Sequence, residues 1–295
     1  MTDAARARYR MPVSFGPAPG PRQKADGSIW TDEETGIIRQ TFLEIDVLCK
    51  AEQLTPLLPP GFSLRGEPVM HISTGYFLDL WWLAGRGYGI LSVHVPVTYR
   101  GKSETIDGDF MIAIWEGLTD AVLTGRDELG FPKLPADFSP LGFDAKAGTA
   151  QSAVSWLGHE FFTASATNLR EIPNAKPPAR VPNLTFKYVP NTSPFGSGGA
   201  DIAAVTTGAG QTPKAASGDI VRAYRRFEGE GQMRWNPATF AQLPTTYHVV
   251  NGLAALDIVA FRGASYYDML LPGYVVNGAA DQRSVEPAED NRFSY

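Results

Sequence analysis

Apolar residues recur at every second position through much of this chain and seldom at helical spacing. Between Tyr88 and Tyr99, Leu91, Val93, Val95 and Val97 fall on one face and Ser92, His94 and Pro96 on the other, the period of a strand whose faces meet different surroundings. A second alternation begins at Ile37, with Ile38, Gln40, Phe42, Glu44 and Asp46 opposite Leu43 and Ile45. Further strands are predicted over Pro68 to Trp82, Phe110 to Trp115, Ala121 to Thr124 and Asn183 to Pro190. Ala147 to Leu157 and His159 to Thr167 read as a hairpin turning at Gly158. Ile220 to Glu228 and Gly231 to Trp235 read as another, Thr245 to Val259 as one long strand or two, and Tyr266 to Val275 as an edge segment. Short helices are predicted over Lys50 to Leu58, stopped by Pro59-Pro60-Gly61, and over Pro237 to Leu243. Residues 192–218, rich in glycine, serine, alanine and threonine, fit either a disordered insert or a strand over Ile202 to Thr207 between loops.

Strands every eight to twelve residues with few helices place the chain in the α+β class, mostly β, and predict an antiparallel β-barrel or cone around a central cavity. No repeat or linker divides residues 31–295, which read as a single domain. Residues 1–30 hold Pro12, Pro17, Pro19 and Pro21 without periodicity. They predict an extended arm that reaches a neighbouring subunit, its arginine-rich start (Arg6, Arg8, Arg10) a frayed tail.

Composition narrows the function classes. With 295 residues, 43% of them hydrophobic, the chain can bury a sizeable core. A net charge of −5 argues against nucleic acid and anionic membrane as partners. The lone Cys49 forms no internal disulfide and reads as a small buried hydrophobe. No secretory h-region or run of about 18 apolar residues is present, so a cytoplasmic location is expected. The four histidines lack metal-ligand spacing, no glycine-rich loop has a dinucleotide or phosphate-loop context, and no serine sits in a nucleophile elbow. Neither a metal nor a cofactor is expected.

The remaining candidate is a lysine. Of the eight, most lie in polar company, whereas Lys133 follows Gly130-Phe131-Pro132 and precedes Leu134. Two readings stand: a side chain that snorkels to water, or a buried amine whose charged form is disfavoured and which attacks a carbonyl. A free lysine is about 0.04% neutral at pH 7, and lowering its pKa by ~3 units requires ~4 kcal/mol of discrimination against the ammonium.

Gly125-Arg126-Asp127 followed by Phe131-Pro132-Lys133 resembles the Gly-Arg-Glu...Tyr/Phe-Pro-Lys signature of the acetoacetate decarboxylase family. Val95-Pro96-Val97, Gly108-Asp109-Phe110 and the stretch Phe186 to Asn191 extend the resemblance over roughly residues 36–275, leaving out the arm and fitting residues 192–218 poorly. The resemblance implies a homo-oligomer built of β cones, in which Lys133 forms a Schiff base with a small oxo acid and no cofactor takes part. Acetoacetate decarboxylase is itself the standing example of a lysine activated for this chemistry, so the mechanism is carried over from the family. Phe131, with Pro132 and Leu134, would supply the desolvation.

The pattern also departs from the family's. Leu134 stands where the prototype has a second lysine, Ser73 and Ile90 stand where it has pocket acids, and its first-strand arginine corresponds to Arg39, or the register puts Gln40 there. The implied chemistry is therefore decarboxylation of a β-keto acid or aldol condensation and dehydration on a pyruvate-like substrate; the alternative is a non-catalytic protein binding an apolar ligand in the same cavity. Arg126 is a candidate carboxylate anchor or a tie for the turn. Glu116 and His94 are candidate acids or bases, or surface-facing side chains, and Tyr88 and Tyr247 are candidate wall residues.

Overall fold

A single sheet organises the computed structural model, which describes residues 7–178, 181–192, 199–208, 221–276 and 283–285. Its strands are β1 (Ile37–Cys49), β2 (Phe62–Leu64), β3 (Val69–Leu80), β4 (Arg86–Arg100), β5 (Thr105–Glu116), β6 (Lys133–Pro135), β7 (Asp137–Phe138), β8 (Gly142–Asp144), β9 (Thr149–Trp156), β10 (His159–Glu171), β11 (Asn183–Pro190), β12 (Ala200–Gly208), β13 (Ala223–Trp235), β14 (Ile258–Pro272) and β15 (Arg283–Ser284). They pair in the order β15-β12-β11-β5-β4-β3-β1-β14-β13-β10-β9-β7, with β2, β6 and β8 attached to β4, β5 and β9. This path has two ends. Among the described residues the hydrogen-bonded ladder does not close into the expected barrel, and the pairing is antiparallel except where β5 meets β6 and β11.

The alternation seen in the sequence divides this sheet into two faces. Leu43, Ile45, Leu91, Val93, Val95 and Val97 are buried on one side, against Trp115, Phe161, Phe162 and Trp235, and form the main core. At about 1.5–3 kcal/mol for each fully buried large apolar side chain, this face supplies much of the stability. The intervening residues, Gln40, Phe42 and Glu44 on β1 and Ile90, Ser92 and His94 on β4, face a cavity instead.

Several expectations are corrected. Residues 223–235 form one continuous strand, not a hairpin: a Cβ on Gly229 would lie 2.4 Å from the Thr167 carbonyl oxygen, and one on Gly231 2.6 Å from Ala264 Cβ, so these glycines serve close approach and not a turn. Tyr247–Ala254 is a helix, because Val250 and Leu253 bury one side of it and Asn251 clasps the backbone N–H and carbonyl of Ala238 at 2.8 and 2.9 Å. Pro237 to Leu243, expected helical, forms turns. Of the segment expected at an edge, Tyr266 to Pro272 is part of β14, an interior strand between β1 and β13, and Gly273 to Val275 is helical. Thr119–Leu123 is helical where a strand was expected. Of residues 192–218, Ile202 to Thr207 lies on β12, while 193–198 and 209–218 fall outside the described residues.

The arm folds back on its own chain. Gln23 donates to the carbonyls of Arg8 and Ala18 at 2.6 and 2.7 Å and accepts from the Arg8 N–H, and Arg10 reaches Glu128 at 2.7 Å and Thr124 at 2.9 Å. Arg8 and Arg10 therefore belong to no frayed tail; Arg6 lies outside the described residues. Among the described residues no helix is long and apolar enough to cross a membrane.

Candidate active site

The cavity has a volume of about 490 Å3 and is roofed in part by Pro21 of the arm. Its geometry depends on a defect in β5. The pairing with β4 skips a residue between Ala113 and Met111, so Ile112 is bulged. A bulge adds one residue and reverses the alternation beyond it. Asp109 and Met111 face the cavity before the bulge, and Ile114 and Glu116 after it. If the same sequence ran as a regular strand without the bulge, Trp115, not Glu116, would share a face with Met111.

After β5 the chain turns through the short helix and a π-helical turn, Thr124–Leu129, closed by Gly130 at a φ of 82°. It then enters β6, parallel to β5, with Ile114 paired to Lys133. Lys133 points into the cavity and Leu134 packs against the main core. Leu134 was read as the loss of a neighbouring cation, but strand alternation turns position 134 away from the pocket.

Lys133 lies close to a carboxylate. Its Nζ is 2.6 Å from Glu116 Oε1, with the two side chains 12% and 1% exposed. The ammonium also donates to the Ala121 carbonyl at 3.3 Å and sits 5.6 Å from the centre of the Phe131 ring. The Glu116 contact is ionic and short but off hydrogen-bonding angle, and neither carboxylate oxygen has a well-directed partner among the described residues. Burial raises the Glu116 pKa above the usual carboxylate value, and the charge and proximity of Lys133 partly offset this. At 2.6 Å Glu116 is placed to take a proton from Lys133, whose neutral amine is the nucleophilic form. The wall is not purely apolar, as expected from sequence, since Glu116 faces Lys133 directly.

The lysine stem lies on a glycine. A Cβ on Gly125 would fall 2.3, 2.4 and 2.7 Å from Lys133 Cδ, Cε and Nζ. Arg126 donates to the Lys133 carbonyl at 2.7 Å and does not line the cavity, so it ties down the turn. Arg39, a candidate substrate residue, is corrected likewise. Its side chain is 45% exposed and pairs with Asp268 at 2.5 Å on the other face of β1, while Gln40 is buried and lines the cavity. Tyr88 lines the cavity, its hydroxyl pKa raised well above normal by burial and by Glu116; Tyr247 packs on the core instead.

Across the cavity stand groups that the sequence left unconnected. Glu44 accepts from Ser265 at 3.1 Å, with Arg226 at 3.9 Å, and burial raises its pKa. His94 Nδ1 is 3.4 Å from Asp109 Oδ2; burial would raise the Asp109 pKa, but His94 holds it below normal. The His71 ring lies 5.2 Å from that of His94, tilted by 31°, and bonds Asp46 at 2.6 Å. Glu44 is paired with Ser73, and Glu116 with Ile90. A carboxylate thus faces the cavity directly across the strand pair from Ser73 and from Ile90, the two positions read as having lost the family's pocket acids. The signal for Glu44 was its place in the Gln40, Phe42, Glu44 alternation; for Gly125 there was none beyond the signature. Among the described residues, no group of three or more histidine, cysteine or acidic side chains could hold a metal ion.

The family model for acetoacetate decarboxylase matches residues 11–271, including most of the arm and the 192–218 region. Among solved structures, acetoacetate decarboxylase from Legionella pneumophila is 19% identical over 85% of this chain and 88% of its own, with a TM-score of 0.57. An acetoacetate decarboxylase-like enzyme from Sphingomonas wittichii is 15% identical over 89% and 96%, TM-score 0.57. The enduracididine biosynthesis enzyme MppR, complexed with pyruvate, is 14% identical over 88% and 93%, TM-score 0.59. These likenesses are in fold. A comparison with curated proteins finds no match. The chain belongs to the acetoacetate decarboxylase family, as an enzyme of that lyase type.

Proposed function

We propose that the protein is a cofactor-independent decarboxylase that forms a Schiff base between Lys133 and a β-oxo acid. The observation that carries this reading is the Lys133–Glu116 pair, 2.6 Å apart and nearly buried in a cavity with aromatic walls. Transfer of the ammonium proton to Glu116 frees the amine to attack the ketone, and the same proton can leave with the carbinolamine oxygen as water. The protonated imine then accepts the electron pair released as carbon dioxide departs. Among the described cavity-lining residues only Lys133 and His94 can carry positive charge, so a substrate carboxylate beside Phe42, Ile90 and Phe131 is poorly solvated. That favours its loss. Aldol condensation and dehydration on a pyruvate-like acid is the second reading, motivated by the fold likeness to MppR with pyruvate. A cavity of about 490 Å3 leaves room for an apolar substituent beyond a four-carbon acid.

Borohydride reduction in the presence of acetoacetate is expected to add the mass of the reduced adduct at Lys133 and nowhere else. An unmodified protein, or an adduct that persists in Lys133→Ala, would sink the reading and leave a non-catalytic binding protein. Carbon dioxide and ketone as products separate decarboxylation from condensation.

The arm bears exposed apolar side chains, Met11, Val13 and Phe15, which support assembly into a homo-oligomer. Light scattering is expected to give a mass above that of one chain, and a monomer at micromolar concentration would refute it.

A further inference from the structure

Decarboxylation of an oxo-acid anion to a ketone and carbon dioxide consumes one proton per turnover. Glu116, 1% exposed and engaged with Lys133, is taken up by the imine steps. The other side of the cavity offers a route. Asp46 and His71 are directly paired across β1 and β3, and His71 and His94 across β3 and β4. Asp109 on β5 completes the row at 3.4 Å from His94 Nδ1. The inner pair, His94 and Asp109, lines the cavity, whereas the outer pair, His71 and Asp46, lies outside it with side chains 30% and 46% exposed. The two imidazoles, 5.2 Å apart, are within the span of one bridging water.

We propose that this row imports the proton that the reaction consumes, with His94 the acid that protonates the substrate carbon; the proposal rests on the imine reading above. After carbon dioxide leaves, the released pair forms an enamine. The enamine carbon takes the proton of the His94 imidazolium, so a C–H bond forms as an N–H bond breaks and the imine is restored. His94 is recharged from His71, and His71 from solvent beside Asp46. Water then hydrolyses the imine and frees Lys133. Asp109 stands beside His94, and Asp46 beside His71, whose pKa is raised: burial lowers it, but the Asp46 bond and charge more than compensate. The other charged groups facing the row are Glu44 on β1, with Arg226 behind it, and Arg65 near Asp109.

The test uses acetoacetate with the intact protein, His94→Gln and His71→Asn. Both variants are expected to keep borohydride trapping at Lys133 and a first-turnover burst of carbon dioxide, since that bond breaks before the carbon is protonated. Steady-state turnover should fall about 100-fold in His94→Gln and about 10-fold in His71→Asn, and added imidazole should restore much of it in His94→Ala. Turnover within twofold of the parent in both variants, with trapping intact, overturns the relay alone. Loss of trapping together with turnover assigns His94 a structural role and also overturns it. A parent that traps no acetoacetate overturns the imine reading and the relay with it.

Discussion

Lys133→Met is expected to lower turnover by at least ~10^4-fold, the scale seen when a covalent nucleophile is removed, and to make the fold sensitive to alkali. The second effect comes from Glu116, left 1% exposed with no counter-charge. Its carboxyl already titrates above the usual 4.5 because it is buried, and Lys133 is the group that pulls it back down. Removing Lys133 raises it further. A carboxyl whose folded pKa exceeds its unfolded value costs nothing while both states are protonated. As pH rises through the ordinary carboxylate range, the unfolded chain ionises freely and the folded one does not, so stability is lost until the folded group also ionises. Urea unfolding should therefore show a small deficit for Lys133→Met near pH 4.5, growing to about 3–5 kcal/mol at pH 8, the cost of breaking a buried pair. The double variant Lys133→Met/Glu116→Gln should recover most of that deficit at pH 8. A deficit equal at both pH values would mean that Glu116 is not the buried charge responsible.

The sheet was legible because its strands carry a period. Leu91, Val93, Val95 and Val97 predicted a core face and form one, and the hairpin at Gly158 lies where the alternation breaks. What failed had a local pattern that tertiary contacts overrode. Val249 and Val250 favour strand, yet burial of Val250 and Leu253 and the Asn251 clasp on Ala238 make a helix. Gly229 and Gly231 read as a turn, but only because a glycine that admits a neighbouring strand looks the same in sequence as one that reverses the chain.

The site was half legible for a related reason. Lys133 stands in a recognisable signature, and its direction follows from strand alternation. The carboxylates do not follow, because an alignment compares positions along one strand whereas the cavity is assembled across several. Glu44 faces the cavity from opposite Ser73, and Glu116 from opposite Ile90. In each case a carboxylate reaches the cavity from the strand beside the position compared, which a comparison confined to that position does not see. The bulge at Ile112 adds a second concealment, since it alone turns Glu116 inward and no period in the sequence marks it. Arg39 shows the converse: one residue of register separates a substrate anchor from a side chain paired with Asp268 on the outside.

Gly125→Ala is expected to leave the fold nearly intact and to cost about 100-fold in turnover. The new methyl carbon would lie 2.3–2.7 Å from the last three atoms of the Lys133 side chain, so one of the two must move. The backbone at 125 is held within the π-helical turn, beside Thr124, which Arg10 anchors at 2.9 Å. The lysine stem is flexible and yields first. Stability should fall by about 1–3 kcal/mol, the usual cost of one methyl group too many in a packed site. Activity falls further, because Nζ leaves its position beside Glu116 and a displacement near 1 Å is enough to lose about 100-fold. Trapping kinetics distinguish this from a folding defect. Borohydride should still label Lys133 in Gly125→Ala, but the rate of imine formation with acetoacetate should drop with turnover in urea-free buffer, where the variant is fully folded, while the urea midpoint moves only as far as the loss of about 1–3 kcal/mol requires. An undiminished rate of imine formation would show that the lysine stem does not depend on this glycine for its position.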